Sequence, residues 1–130
     1  MKLLLDTHAF IWFVYDSPKL PRKTKELLED EQTELLLSTA SVWEMAIKAS
    51  MGKLTLISRA ADLAANQLQK DAIDILPITL PHIDLVESLP FHHKDPFDRL
   101  LIAQTAFEHI DIVSIDTMVD RYGIRRVWLA

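Results

Sequence analysis

Leu3-Leu4-Leu5 runs straight into Asp6, and Leu35-Leu36-Leu37 runs straight into Ser38-Thr39. Apolar runs this short, with no polar residue alternating, suit strands buried on both faces, and such strands belong to parallel sheets covered by helices. Segments 73–78, 111–116 and 126–129 read as three further strands, the first placed near an edge because Pro77 cannot donate to a ladder. Helical patterns fill the intervals. Segment 9–15 is apolar nearly all round and reads as a buried helix or one lying in an interface. Segment 21–30 turns Leu27 and Leu28 inward. Segment 40–51 is closed by Gly52 just past its end. Helices over 59–71, 81–89 and 96–109 complete the series. Strands alternating with helices predict an α/β fold: a mainly parallel sheet of about five strands with helices on both faces. With 130 residues and no repeat, linker or low-complexity tract, the chain reads as a single domain over 1–130.

Composition removes several classes of chemistry. Only two glycines are present, Gly52 and Gly123, so neither a dinucleotide fingerprint nor a phosphate loop can be built. A GxSxG nucleophile elbow is absent for the same reason. There is no cysteine, hence no disulfide and no thiolate metal site, and the five histidines form no HExxH. The longest apolar run, 9–14, is too short to span a bilayer, and the N-terminus lacks signal-peptide character, so a cytoplasmic protein is expected. Nineteen acidic against fourteen basic residues give a formal net charge of −5, which argues against binding nucleic acid through bulk charge. It leaves room for a metal ion to mediate contact with phosphate.

The acids are not spread evenly over the pattern. Asp6 ends the first strand, and Asp116 ends the fourth. Glu44 sits in the second turn of the helix that leaves the second strand, among the apolar residues Val42, Trp43, Met45, Ala46 and Ile47. In Asp95-Pro96-Phe97-Asp98, proline belongs at the first helical position, which makes Asp95 the N-cap and puts Asp98 in the first turn. In a parallel sheet the ligand crevice lies outside the carboxyl ends of the strands. Four segments thus aim Asp6, Glu44, Asp98 and Asp116 at one rim. Carboxylates so gathered repel one another unless a cation compensates them. A hard divalent cation, Mg²⁺ or Mn²⁺, prefers such oxygen ligands and suits hydrolysis of a phosphodiester.

Each acid also has a plainer reading. Asp6 and Asp116 could cap the segments that follow them, Glu44 could be a solvated helix residue, and Asp95 could be a cap or a further ligand. His92 and His93 read as loop residues, because nothing pairs with them at metal-ligand spacing. Trp12, Phe13 and Tyr15 read as core or interface and not as a base-stacking platform.

Several blocks resemble a known family: Leu4-Leu5-Asp6-Thr7-His8, the segment 38–48 containing Trp43-Glu44 followed by Gly52-Lys53-Leu54, the segment 93–104 containing Asp95-Pro96-Phe97-Asp98-Arg99, and Ser114-Ile115-Asp116. Together they are similar to PIN-domain proteins of the VapC toxin type, over essentially the whole chain. The resemblance implies a three-layer α/β/α sandwich and Mg²⁺- or Mn²⁺-dependent endoribonuclease activity at Asp6, Glu44, Asp98 and Asp116. It also implies a cognate VapB-like antitoxin and frequent homodimers. Asp95 is an acid that many relatives lack. Ser114 and Thr117 match a Ser or Thr the family often carries near its fourth acid.

On this reading RNA is the substrate, with Arg99, Lys48 and Arg121 as candidate phosphate donors. The alternative is a non-catalytic, partner-binding or regulatory module on the same fold, with the apolar stretch 9–14 as a dimer or antitoxin surface. A phosphoacceptor receiver domain fits poorly, since Thr7 follows Asp6 and Leu76-Pro77 ends the third strand where an acid would be required.

Overall fold

The computed structural model describes all 130 residues. Five strands form one sheet: β1 Lys2–Leu5, β2 Glu34–Ser38, β3 Ile73–Leu76, β4 Asp111–Val113 and β5 Arg126–Val127. Their order is β3-β2-β1-β4-β5, and every neighbouring pair is parallel. Register is tight at the centre, where Leu3, Leu4 and Leu5 of β1 lie beside Leu35, Leu36 and Leu37 of β2 and beside Asp111, Ile112 and Val113 of β4. As Pro77 suggests, β3 is an edge strand, but it stops at Leu76, just before that proline, instead of running to residue 78.

The helices are α1 Thr7–Val14, α2 Arg22–Glu29, α3 Thr39–Ser50, α4 Ala60–Lys70, α5 Leu80–Ser88 and α6 Pro96–Glu108, and a 3-10 helix spans Thr117–Tyr122. Alternate residues of β1 serve opposite faces of the sheet. Leu3 and Leu5 pack with Phe10 of α1, Leu28 of α2, Met45 of α3 and Leu63 of α4. Leu4 packs on the other side with Leu101 and Ile102 of α6 and Val119 of the 3-10 helix. Two cores on one sheet make a three-layer α/β/α sandwich.

The last two strands are also shorter than expected. The fourth strand ends at Val113, because the Ser114 hydroxyl accepts the backbone N–H of Asp116 at 3.1 Å and turns the chain out of the sheet. The fifth strand is only Arg126–Val127. Segment 9–14 is less available as a surface than expected: Ala9 and Phe10 are fully buried, and Ile11, Trp12, Phe13 and Val14 are half-buried against the chain's own core. No helix is long and apolar enough to cross a membrane.

Candidate active site

From β1 the chain proceeds outward through β2 to β3, then returns to the other side of β1 for β4 and β5. The direction reverses between β1 and β4, and in open parallel sheets a crevice opens at the strand ends at that point. Asp6 follows β1 and Asp116 follows β4, so both stand at this reversal.

Asp6 is buried and is the N-cap of α1, its Oδ1 accepting the Ala9 N–H at 2.8 Å. Burial pushes its carboxyl above the usual range. Hydrogen bonds from the Ser114 hydroxyl and Ala9, and the nearby His8, oppose that rise, while the charge of Glu44 adds to it. Glu44 is also buried, with both oxygens occupied: Oε1 accepts the Thr7 hydroxyl at 2.7 Å and Oε2 accepts the Lys48 ammonium at 2.6 Å. Thr7 Oγ1 is 3.0 Å from Ser41 Oγ as well. The Lys48 amine is raised chiefly by its bond to Glu44.

Asp95 is the N-cap of α6, with Oδ1 accepting the backbone N–H groups of Phe97 and Asp98 at 2.8 and 3.1 Å. Pro96 occupies the first helical position and Asp98 lies in the first turn, as the sequence indicates. The Asp98 carboxyl is pushed up to about 7, first by burial and then by the charge of Asp95; His93 opposes this, and Glu44 and Asp6 add to it. Asp116 caps the 3-10 helix through Oδ1, which accepts the Met118 N–H at 2.9 Å. Its Oδ2 lies 2.7 Å from His93 Nε2, and Asp98 Oδ2 lies 3.2 Å from the same nitrogen.

The four expected acids are thus unevenly gathered. One ligand atom each from His93, Asp98 and Asp116 fall within 4.8 Å of one another. Asp6 and Glu44 stand outside that cluster, yet near enough for their charges to raise the Asp98 carboxyl. This donor set fits a hard divalent cation. It is mostly carboxylate oxygen, and it contains a carboxyl group, Asp98, that burial and then neighbouring negative charge raise to about 7. A cation there would relieve that repulsion.

Two readings from the sequence need revision, and Thr7 is a residue to which sequence alone assigns no role. His93 does lie in the loop before α6, but its ring bridges two of the acids; the clue was its position two residues before the N-cap, where an imidazole can take the cap's own N–H. Arg99 is 5% exposed and does not offer its guanidinium to the rim. Its two terminal nitrogens donate to the carbonyls of Val86, Leu89, Pro90 and His93, and it stacks 4.1 Å from the Phe91 ring centroid. Thr7 and Ser114, which bond Glu44 and Asp6, matter more than short polar residues at strand ends suggest. Of the remaining candidate phosphate donors, Lys48 is 40% exposed though bonded to Glu44, and Arg121 is exposed on the 3-10 helix. Trp12 packs between His8 and Trp128, in keeping with a core role.

A parallel sheet covered on both faces, with acids converging where the strand order reverses, defines an α/β protein with a carboxylate-rich site. The PIN domain family model matches residues 3–124, and the chain belongs to that family. Among solved structures, the fold is similar to a chain of VapBC2 from Rickettsia felis, whose crystal structure contains a fragment of promoter DNA. That match has a TM-score of 0.73 and 14% identity, and covers 99% of this chain and 100% of the other. A chain of the DNA-bound VapBC of Salmonella typhimurium matches with a TM-score of 0.66 and 16% identity over 98% and 97% of the two chains. A chain of FitAcB from Neisseria gonorrhoeae gives 0.60 and 18% over 95% of each. No curated protein matches the sequence significantly.

Proposed function

We propose that this protein is a metal-dependent endoribonuclease and the toxin of a toxin–antitoxin pair. The observation that carries the reading is the convergence of Asp6, Glu44, Asp98 and Asp116 on the β1–β4 reversal, with the Asp98 carboxyl raised by burial and by its acidic neighbours. Asp98 and Asp116 would hold Mg²⁺ or Mn²⁺, with Asp6 and Glu44 alongside. Bound there, the ion supplies Lewis acidity, activating a water and neutralising charge on the leaving oxygen of a phosphodiester. The chain's own residues set the geometry. Thr7 and Lys48 fix the Glu44 carboxylate, and Ser114 and the first turn of α1 fix Asp6. On this reading Lys48 and Arg121 are the candidate cations for RNA phosphates, both reaching solvent. Membership of the PIN family, and the likeness to chains from VapBC and FitAcB, support a VapB-like antitoxin as partner; a homodimeric toxin in a prokaryotic cytoplasm is part of the same proposal.

The test is cleavage of a mixed RNA pool by purified protein with Mg²⁺, Mn²⁺ or EDTA. The reading predicts that EDTA, Asp6→Asn and Asp98→Asn each abolish cleavage while the circular dichroism spectrum stays folded. Undiminished cleavage by Asp98→Asn, or by the wild type in EDTA, would refute it.

A further inference from the structure

We propose that His93 is a positioning residue of this site: its Nε2 donates to Asp116 and stands against the facing oxygen of Asp98, holding the two carboxylates in place, and it is not itself a ligand of the cation. The proposal rests on the reading of Asp98 and Asp116 as the cation-holding pair. Distance alone groups His93 with the two acids as a third ligand, since the three donor atoms lie within 4.8 Å of one another. Hydrogen-bond polarity argues otherwise.

A backbone N–H can only donate. The N–H of Asp95 points at His93 Nδ1 from 3.2 Å, so that nitrogen presents its lone pair and the ring proton resides on Nε2. Nε2 faces two acceptors, Asp116 Oδ2 at 2.7 Å and Asp98 Oδ2 at 3.2 Å. To ligate a cation through Nε2, the ring would have to carry its proton on Nδ1. Two donors would then confront each other across the 3.2 Å gap, and the Asp95 N–H would lose its acceptor. Rotating the ring out is opposed by its surroundings, because the His93 side chain is only 14% exposed.

The backbone of His93 is held from both sides. Its N–H donates to the Tyr122 hydroxyl at 2.7 Å, and that hydroxyl donates to the Pro90 carbonyl at 2.8 Å. Its carbonyl accepts Arg99 Nη1 at 3.3 Å. The buried guanidinium therefore acts on the site at one remove: Arg99 fixes the loop, the loop fixes the imidazole, and the imidazole fixes the two carboxylates. Such outer partners orient metal-holding carboxylates and are worth about 10–100-fold in metal affinity.

Two measurements on the full chain test this. In ¹⁵N-labelled protein, with ring signals assigned by their loss in His93→Gln, the imidazole shifts are expected to report the Nε2–H tautomer both without metal and with diamagnetic Mg²⁺. A switch to the Nδ1–H tautomer on adding Mg²⁺ would make His93 a ligand and overturn the proposal. In calorimetric titration with Mn²⁺, His93→Ala is expected to weaken binding about 10–100-fold, and His93→Gln, which keeps an N–H donor, to recover most of the loss. Equal affinities for the wild type and His93→Ala overturn the proposal alone. No binding by the wild type overturns the cation-site reading, and the proposal with it. Should His93→Ala fail to fold, the tautomer measurement and His93→Gln still decide.

Discussion

Replacing Asp98 with Asn should stabilise the metal-free protein, although the residue lies at the centre of the site. The folded chain raises the Asp98 carboxyl from 3.8 to about 7, first by burial and then through Asp95. The folded state therefore binds more protons than the unfolded chain between these two values, and stability is lost as pH rises through that window. Taken whole, the displacement is worth about 4 kcal/mol. The side chain is 35% exposed, so solvent screening reduces this to about 1–2 kcal/mol. Asn is nearly isosteric, keeps an acceptor for His93 Nε2 and carries no charge to desolvate. Thermal unfolding in EDTA, followed by circular dichroism, should show equal midpoints for the two proteins near pH 4 and a gap that opens towards pH 7, reaching about 4–8 °C in favour of Asp98→Asn by about pH 8. Mn²⁺ should raise the wild-type midpoint and leave the variant unmoved, because only the wild type retains the full charge that binds the ion. A gap independent of pH, or a variant less stable than wild type at about pH 8 in EDTA, would refute the electrostatic account of the site.

Arg99→Ala should cost about 3 kcal/mol or more in denaturant unfolding, because four carbonyls lose a charged donor, and Arg99→Lys should not restore it, since an ammonium cannot fork to four acceptors. A fully stable Arg99→Ala that fails only in RNA binding would return Arg99 to the phosphate-contact role. Thr7→Val keeps the volume but removes the donor to buried Glu44; it should cost about 1–2 kcal/mol in the same assay and slow cleavage, with Thr7→Ser close to wild type in both. Asp95→Asn keeps a good N-cap and removes the charge that most raises Asp98, so cleavage should persist with its pH profile moved to lower pH, whereas Asp95→Ala should destabilise by about 1 kcal/mol. If Asp95→Asn abolishes cleavage as completely as Asp98→Asn while the fold survives, Asp95 belongs to the ligand set.

The fold was legible because its strands have no alternating polar face. Leu3-Leu4-Leu5 and Leu35-Leu36-Leu37 have no place except the middle of a covered parallel sheet, and they occupy β1 and β2 there. Segment 111–116 misled at its far end because Ile115 prolongs the β-branched run of Ile112 and Val113, while the strand is broken by a side-chain-to-backbone bond that hydropathy cannot register. Which residues converge was also legible in part, since strand ends and helix starts are topological facts. The spacing among them was not. His93 reaches Asp116 across 23 positions of sequence, through an approach that depends on the packing of the 3-10 helix against α6. Arg99 misled for a related reason. Beside a pair of acids an arginine suggests a phosphate contact, and only the path of the loop before α6 reveals four carbonyls waiting for it.

Capping and site roles compete on paper for the same acids, but a carboxylate has two oxygens. Asp116 gives Oδ1 to the first turn of the 3-10 helix and Oδ2 to His93. Asp6 gives Oδ1 to the first turn of α1 while its carboxyl also takes the Ser114 hydroxyl. Asp95 spends Oδ1 on two N–H groups of α6. Each cap supplies charge-assisted hydrogen bonds and sits at the positive end of a helical segment, which offsets part of the cost of holding negative charge out of water. Asp98 caps nothing: it lies inside the first turn of α6, where its own N–H is already given to Asp95, and burial and the charge of Asp95 raise its carboxyl to about 7. The capping acids are thereby held in place by their helical segments, while Asp98 is left sensitive to whatever charge enters the crevice. That asymmetry suits the ion-dependent site proposed above. On the proposed reading, a cation entering the crevice would favour the ionised form of Asp98.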